Sequence, residues 1–174
     1  MSQIVLCGRG GQGIVFLTRL IGDIATSNGL NVISAETHGM AVRGGSINSC
    51  LKIGNYRSSL VRWGKADFLI SLDENETGNN KHFLKSDGVI LENSTKPSQP
   101  GIFRIDATGM ARTLGMVQLE NVVALGMASS LPDFPLSPDE IKQGLMTDKR
   151  ENVRQMNIKA LESGMKANSG TSAS

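Results

Sequence analysis

The sequence has 174 residues, of which 39% are hydrophobic and 20% are charged, and its formal net charge is +2. This balance predicts one globular domain with a sizeable core and excludes an intrinsically disordered chain. No basic run interleaved with aromatic residues is present, so nucleic acid is not expected as a partner. The sequence shows neither a signal peptide nor an apolar stretch of about 20 residues, which predicts a cytoplasmic protein without membrane association.

The cysteine count limits the metal chemistry of the chain. Cys7 and Cys50 are its two cysteines, and each lies in an apolar, strand-like segment, which favours reduced thiols in the core. An iron–sulfur cubane needs four ligands, and with His38 and His82 alone beside the cysteines no zinc constellation is formed. Any redox centre that this protein serves is therefore expected on another chain.

The first predicted element is a buried strand over residues 3–7, which ends at a glycine-rich loop over residues 8–13. Apolar residues at helical spacing predict a helix from residue 14 to about residue 28. Three further apolar residues lie outside its main stripe: Val15, Phe16 and Leu20. This helix is therefore predicted either to be sandwiched inside the domain or to meet a partner.

A second strand is predicted over residues 31–35, parallel to the first through a right-handed crossover. If the two strands are neighbours, the loops that follow them lie within side-chain reach of one another. A polar, glycine-marked loop over residues 36–45 follows it. Residues 46–53 return to strand character, and residues 54–65 are predicted to turn back as a hairpin, which gives a small antiparallel addition over residues 46–63.

The rest of the chain alternates strands and then becomes helical. Three further strands are predicted, over residues 67–72, 88–91 and 102–105. Asn121 is predicted to cap a helix that runs to about Leu131, and the capping box at residues 137–140 begins another. The last helix is predicted to end near Gly164, so that residues 1–165 form one domain and residues 166–174 a disordered tail. These elements predict an α/β fold, a Rossmann-like, doubly wound, mostly parallel sheet with helices on both faces.

Residues 8–13 read Gly-Arg-Gly-Gly-Gln-Gly and satisfy the G-x-G-x-x-G pattern between a strand and a helix. Glycines there let the backbone approach a phosphate, which the free amides of the helix N-terminus attract. The alternative is a tight turn that binds nothing. Glu36 ends the second strand, where a dinucleotide-binding domain places its ribose-binding acid, so NAD binding competes with the alternative of a solvated acid.

The loop over residues 36–46 is the second informative stretch. His38 and Arg43 flank its first glycine, and Gly44 and Gly45 follow directly. An imidazole and a guanidinium near the first glycine loop predict binding of a phosphate or a carboxylate. The alternative is that both side chains only hold the loop in shape.

Together, residues 8–14 and 36–46 resemble the gamma-type domain of the 2-oxoacid:ferredoxin oxidoreductases. The resemblance covers roughly residues 3–165, and the segment Thr37-His38-Gly39-Met40 is most similar to the indolepyruvate branch of the family. Further matches are Ala66-Asp67, Asn121 with Ala124-Leu125-Gly126, and Asn157 with Ala160 and Gly164. The Arg43-Gly44-Gly45 stretch separates the chain from NAD dehydrogenases, which lack it.

The resemblance implies a subunit that supports the CoA-dependent oxidative decarboxylation of a 2-oxoacid, an aryl pyruvate in particular, with electrons passed to ferredoxin. It implies coenzyme A as co-substrate, no cofactor bound by this chain alone, and thiamine diphosphate and iron–sulfur clusters on a partner chain. The isolated chain is expected to be inactive. The residues expected to line the CoA or substrate side are Gly8, Gly10, Gly11, Gln12, Gly13, His38, Arg43, Gly44, Gly45 and Ser46.

Two other functions remain open from the residues alone. One is a stand-alone NAD-binding oxidoreductase domain, which the glycine loop and Glu36 favour. The other is a nucleotide-sensing or assembly protein that binds partners without catalysis.

Overall fold

The computed structural model describes residues 1–38 and 44–169, and a mixed six-stranded β-sheet runs through this part of the chain. Across the sheet the strands lie in the order β2-β3-β1-β4-β5-β6. The β1–β4, β4–β5 and β5–β6 pairs are parallel, so the predicted α/β class with a mostly parallel sheet is confirmed. In chain order the strands are β1 (Ser2–Arg9), β2 (Val32–His38), β3 (Ser46–Ile53), β4 (Ala66–Ser71), β5 (Leu84–Asn93) and β6 (Ile102–Ile105).

Helices cover the two faces of the sheet unequally. The helices of the described residues are α1 (Ile14–Ser27), α2 (Glu74–Asn80), α3 (Ala107–Thr113), α4 (Glu120–Ala128), α5 (Pro138–Leu145) and α6 (Glu151–Ser169). All of them except α2 contribute side chains to the larger core on one face. On the other face α2 lies against β1, where the Cys7 thiol contacts the Glu76 carbonyl oxygen, and the smaller core is closed by segment 54–65 and a 3-10 turn, Lys81–Phe83.

β2 runs in the same direction as β1, as predicted, but the two strands are not neighbours, because β3 lies between them. β3 runs antiparallel to both β1 and β2. The second half of β3 is buried on both faces, because Leu51 and Ile53 join the larger core whereas Cys50 joins the smaller one. A strand that is buried on both faces belongs inside a sheet rather than at its edge.

Residues 54–65 contain no strand, so the hairpin predicted there is wrong. The antiparallel part of the sheet is β3 itself. The segment after it crosses the second face of the sheet, where Val61 is buried in the smaller core. Most of its other side chains stay exposed, since this one apolar anchor is enough to hold a short connection.

The C-terminal helices differ from the prediction at their ends. α4 begins after Leu119, so Asn121 lies in its first turn and is not its cap, and the helix ends at Ala128. The capping box at the start of α5 is confirmed: the Ser137 hydroxyl accepts from the Glu140 amide, and the Glu140 carboxylate accepts from the Ser137 amide.

α6 continues through Gly164 to Ser169, so the predicted helix end is wrong. Gly164 lies against α4, where an added Cβ would overlap the Val123 carbonyl oxygen. The glycine is thus a site of close helix packing and not a stop. Residues 166–169 of the predicted tail are helical, and residues 170–174 lie outside the described residues. Within the described ranges, none of the helices combines the length and the apolar character needed to cross a bilayer.

Candidate functional site

Two loops meet at the carboxyl edge of the sheet, where the parallel strands end. The glycine loop (residues 8–13) begins within β1, which ends at Arg9. The second predicted loop is shorter than expected, because β2 continues to His38 and β3 begins at Ser46; the connection between these two strands is here called the second loop. Ser46 at the start of β3 lies opposite Arg9 at the end of β1. The Gly10 amide donates to the Gly45 carbonyl oxygen at 2.9 Å. The two loops are therefore in direct contact, and β3, which pairs with both β1 and β2, brings them together.

Gln12 ties the glycine loop to the neighbouring strand. Its Oε1 accepts from the Arg9 amide at 2.7 Å, and its Nε2 donates to the Leu72 carbonyl oxygen at 2.8 Å. Both polar ends of this predicted site residue are thus engaged inside the chain. Gln12 fixes the shape of the loop, since two hydrogen bonds hold its side chain across the end of β4.

Asn121 of α4 supports the glycine loop. The sequence pattern predicted only a helix-capping role for this residue. Its Nδ2 donates to the Gln12 carbonyl oxygen at 3.3 Å. Gly13, the cap of α1, has φ 79° and sits so close that an added Cβ would overlap Asn121 Nδ2. Asn121 was among the residues that carry the family resemblance, and this was the sequence signal for it, although its partner Gln12 is distant in the sequence.

The start of α1 is chemically open. Among residues 1–38 and 44–169 no side chain caps it, and its first turn carries no acidic residue. Its first intrahelical bond runs from the Leu17 amide to the Gly13 carbonyl oxygen. The amides of residues 14–16 therefore have no intrahelical acceptor. Gly11, with φ 103°, has open space where a Cβ would stand. Free amides, the helix dipole and an open cradle fit a phosphate or carboxylate group.

The second loop contributes backbone to this place. Gly44 lies so close to Gly10 that a Cβ on Gly10 would come within 3.2 Å of the Gly44 nitrogen. The Ser46 hydroxyl donates to Glu76 Oε2 at 2.7 Å, so this side chain is held by α2. The backbone of His38 ends β2 at the same edge, whereas its side chain and the whole of Arg43 lie outside the described residues.

A polar crevice of about 410 Å³ opens beside the glycine loop, between the ends of β4 and β5. Asn93 lies at its centre and donates to the Leu72 carbonyl oxygen and the Thr108 hydroxyl. Thr108 in turn donates to the buried Glu120 at 2.6 Å. At the rim of this crevice, Arg9 Nε forms an ion pair with Asp73 Oδ2 at 2.9 Å. Asn93 ends a buried strand at the same sheet edge as the glycine loop, and that position was the sequence signal for it.

Glu36 does not lie where an NAD ribose would need it. Because β3 separates β1 from β2, Glu36 on β2 is two strand spacings from β1, roughly 10 Å. Its Oε1 lies 4.0 Å from Arg19 Nε. The geometry thus disfavours the dinucleotide arrangement, in which the second strand adjoins the first.

The thiols of this chain do not fit an iron–sulfur cluster. Cys7 and Cys50 are free and buried on the same face of the sheet. Burial is the main cause that raises the pKa of the Cys7 thiol to about 12, and burial also raises the pKa of Cys50. Cluster ligands are thiolates, and a cubane takes four of them. No group of three or more potential metal ligands comes together in residues 1–38 and 44–169.

An apolar groove of about 320 Å³ lies beside the start of α1. Phe16 lines it and is 46% exposed, whereas Leu20 packs against the larger core. The other apolar lining residues are Met116, Leu119, Val153 and Met156. Asn121 also lines the groove, so the same side chain borders the groove and supports the glycine loop.

Comparison with known proteins places the chain in one family. The family described as pyruvate ferredoxin/flavodoxin oxidoreductase matches residues 3–167. The indolepyruvate oxidoreductase subunit IorB of Archaeoglobus fulgidus is 30% identical, over 93% of this chain and 92% of that protein. The structure of the gamma subunit of a keto/oxoacid ferredoxin oxidoreductase from Geobacter sulfurreducens aligns with a TM-score of 0.79 and 24% identity, covering 98% of this chain and 99% of that one.

A larger protein contains the same fold as one part. The 2-oxoglutarate:ferredoxin oxidoreductase of Magnetococcus marinus, solved with 2-oxoglutarate, coenzyme A and succinyl-CoA bound, aligns with a TM-score of 0.79 and 21% identity. The alignment covers 97% of this chain and 31% of that one.

Proposed function

Since the chain belongs to the pyruvate ferredoxin/flavodoxin oxidoreductase family, we propose that it is the gamma-type subunit of an enzyme that oxidises an aryl pyruvate such as indolepyruvate. The end-to-end likeness to an indolepyruvate oxidoreductase subunit carries this proposal. In the proposed reaction the 2-oxoacid loses its carboxyl group as CO₂, its acyl group passes to the sulfur of CoA, and two electrons pass to ferredoxin.

The glycine loop and the second loop form the part of this enzyme that holds an anionic group of CoA or of the substrate. The start of α1 offers unpaired amides without an acidic neighbour in its first turn, which supports this role. Gly10 and Gly45 join the two loops, so Gly44 and Gly45 stand beside that helix start. Arg43, directly before them in sequence, supplies a positive charge for the same group.

Electron transfer and carbon–carbon cleavage belong to a partner chain in this proposal. The two buried thiols of this chain cannot supply a cluster with thiolate ligands. The partner therefore carries the thiamine diphosphate and the iron–sulfur clusters, and electrons reach ferredoxin through the complex. The similar proteins are named as subunits, which supports an assembly of several chains.

Reconstitution tests the proposal. The purified chain is assayed with indolepyruvate, CoA, thiamine diphosphate, magnesium and a dye acceptor, first alone and then with the thiamine- and cluster-bearing chain of its host. We expect turnover only when both chains are present. Steady turnover by this chain alone, or a complex of both that leaves indolepyruvate and other 2-oxoacids unchanged, would contradict the proposal.

The stand-alone NAD-binding function is not favoured. Glu36 is displaced from the glycine loop by β3, and the comparisons point to 2-oxoacid oxidoreductases. Titration of the isolated chain with NADH is the direct check. Binding in the micromolar range would restore that function.

A further inference from the structure

A cationic and aromatic patch lies at the amino edge of the sheet, on the face opposite to α1. It is formed by segment 54–65 and by the 3-10 turn that precedes β5. Its exposed residues, here called the Trp63 patch, are Arg57, Leu60, Arg62, Trp63, Lys65 and Lys81. The glycine loop lies at the other edge of the sheet, so the proposed CoA site does not account for this patch.

The backbone beneath the patch is fixed. The Gly64 amide donates to the His82 carbonyl oxygen at 3.0 Å, and the Lys65 amide donates to the Phe83 carbonyl oxygen at 2.8 Å. The Trp63 ring contacts the His82 ring edge-on, with 5.0 Å between their centroids. Even so, Trp63 is 75% exposed. A large aromatic side chain held at the surface of an ordered segment is typical of an interface anchor.

The patch concentrates unpaired positive charge. Residues 37–66 contain no Asp or Glu. Within the described part of the chain, the patch cations make no ion pair, whereas the nearby Lys85 is paired with Asp67. With a net charge of only +2 for the whole chain, this surface is a local excess that electrostatically favours an acidic partner.

The surface continues onto a thinly covered part of the sheet. A cavity of about 360 Å³ is lined by Leu84, Ile90 and Ile102, with Lys81 of the patch among its walls. The apolar part of this cavity, reached from the patch through Lys81, adds apolar contact area to that of the exposed tryptophan, and the cations give the surface a polar rim.

We propose that the Trp63 patch docks an acidic surface of the thiamine- and cluster-bearing partner chain, with Trp63 inserted into an apolar pocket of that surface. The identity of the partner rests on the proposed function. A second copy of this chain is a poor occupant, because it would bring like charges together across the interface.

The single tryptophan of the chain allows a direct test. The chain is produced with 5-fluorotryptophan, which gives one ¹⁹F resonance that belongs to Trp63. Unlabelled partner chain is added in one arm, and phosphatidylglycerol vesicles are added in the other. We expect the partner to shift the resonance and remove its H₂O/D₂O isotope shift, and the vesicles to leave it unchanged.

Two variants test the anchor and the charge separately. Trp63→Ala should raise the dissociation constant of the complex ~10-fold or more, as truncation of a buried aromatic anchor does. Arg62→Glu should raise it as well and make it less sensitive to salt. Lys159→Glu is the matched control, because it makes the same charge change at an exposed position of α6 on the other face.

The outcomes separate the docking surface from the function. In one outcome, the complex turns over indolepyruvate but the Trp63 resonance stays that of the free chain. This outcome would overturn the docking inference and leave the proposed function intact. A resonance that moves only with vesicles would replace the protein partner by a lipid surface. Failure of both assembly and turnover would overturn the proposed function and this inference together.

Discussion

Few of the described side chains in the glycine loop and at the start of β3 are free to meet a ligand. Gln12 is bonded at both ends of its amide, and Ser46 is bonded to Glu76. The groups left for an incoming anion are main-chain amides at the start of α1. A cradle made of backbone selects for charge and shape more than for chemical detail, so selection among 2-oxoacids is expected to lie elsewhere in the complex.

Arg43 is the side chain expected to add to this cradle. Changing Arg43 to Ala in the assembled enzyme should raise KM for CoA or for the 2-oxoacid, because loss of a charged hydrogen bond costs ~1.5–3 kcal/mol, about tenfold to a hundredfold in affinity. Steady-state kinetics measure KM, and a melting curve measures any change in stability. Lys159→Ala serves as the charge-matched control. A sharply lowered melting temperature with both KM values unchanged would show that Arg43 only shapes the loop.

The Cys7 thiol gives a pH-dependent prediction. Burial raises its pKa from 9.0 to about 12, so the neutral form is favoured in the folded chain. The stability due to that form is fully present below about pH 9 and is lost as the pH rises from about 9 to about 12. At pH 8 roughly one Cys7 in 10,000 is a thiolate. Labelling with a maleimide followed by mass spectrometry should therefore be slow in buffer and fast in urea. Rapid labelling of native Cys7 at pH 8 would contradict its inert place in the core.

At the scale of elements, local sequence patterns predicted where the strands and the first helix lie. They did not predict the order in which the strands pair or the contacts between helices. The run before Gly8 and the stripe after Gly13 were enough for β1 and α1. The insertion of β3 between β1 and β2 depends on which strand can be buried on both faces, a property of the whole sheet. The bond from Asn121 to Gln12 joins residues that are distant in sequence, and no local pattern contains it.

The contact between α4 and α6 is another feature that local sequence patterns did not predict, and its contribution to stability can be tested. Gly164 lies in α6 so close to the backbone of Val123 that Gly164→Ala must push the two helices apart. We expect a loss of about 1–3 kcal/mol in the free energy of unfolding, in the range of an overpacked core, measured by urea titration.

Gly78 offers the matched control. It is an exposed glycine in α2, and a Cβ there would meet no atom within 4 Å. Gly78→Ala should therefore raise the free energy of unfolding by about 0.5–1 kcal/mol. Equal effects of the two substitutions would mean that helix propensity, and not the close approach of α4 and α6, sets the result.

At the scale of the whole molecule, two separate regions expose apolar groups beside other surface features. The Trp63 patch is cationic and lies at the amino edge of the sheet, whereas the groove beside Phe16 is apolar and adjoins the glycine loop. Asn121 belongs both to the groove wall and to the support of the loop. A chain that fills the groove would thus contact a residue that supports the candidate site.

The groove gives the last prediction. Phe16 adds apolar surface beyond the core stripe of α1 and is 46% exposed in the single chain, so a negative charge there need not disturb the core. Phe16→Glu should raise the dissociation constant of the complex by about tenfold or more, because it places a charge in the apolar centre of an interface. Sedimentation of the variant with the partner chain measures assembly, and circular dichroism checks the fold. Met146→Glu, at an exposed apolar residue outside the groove, is the control and should assemble normally. If Phe16→Glu assembles as well as Met146→Glu, the groove is not part of the interface, and the apolar surplus of α1 serves only the packing of its own domain.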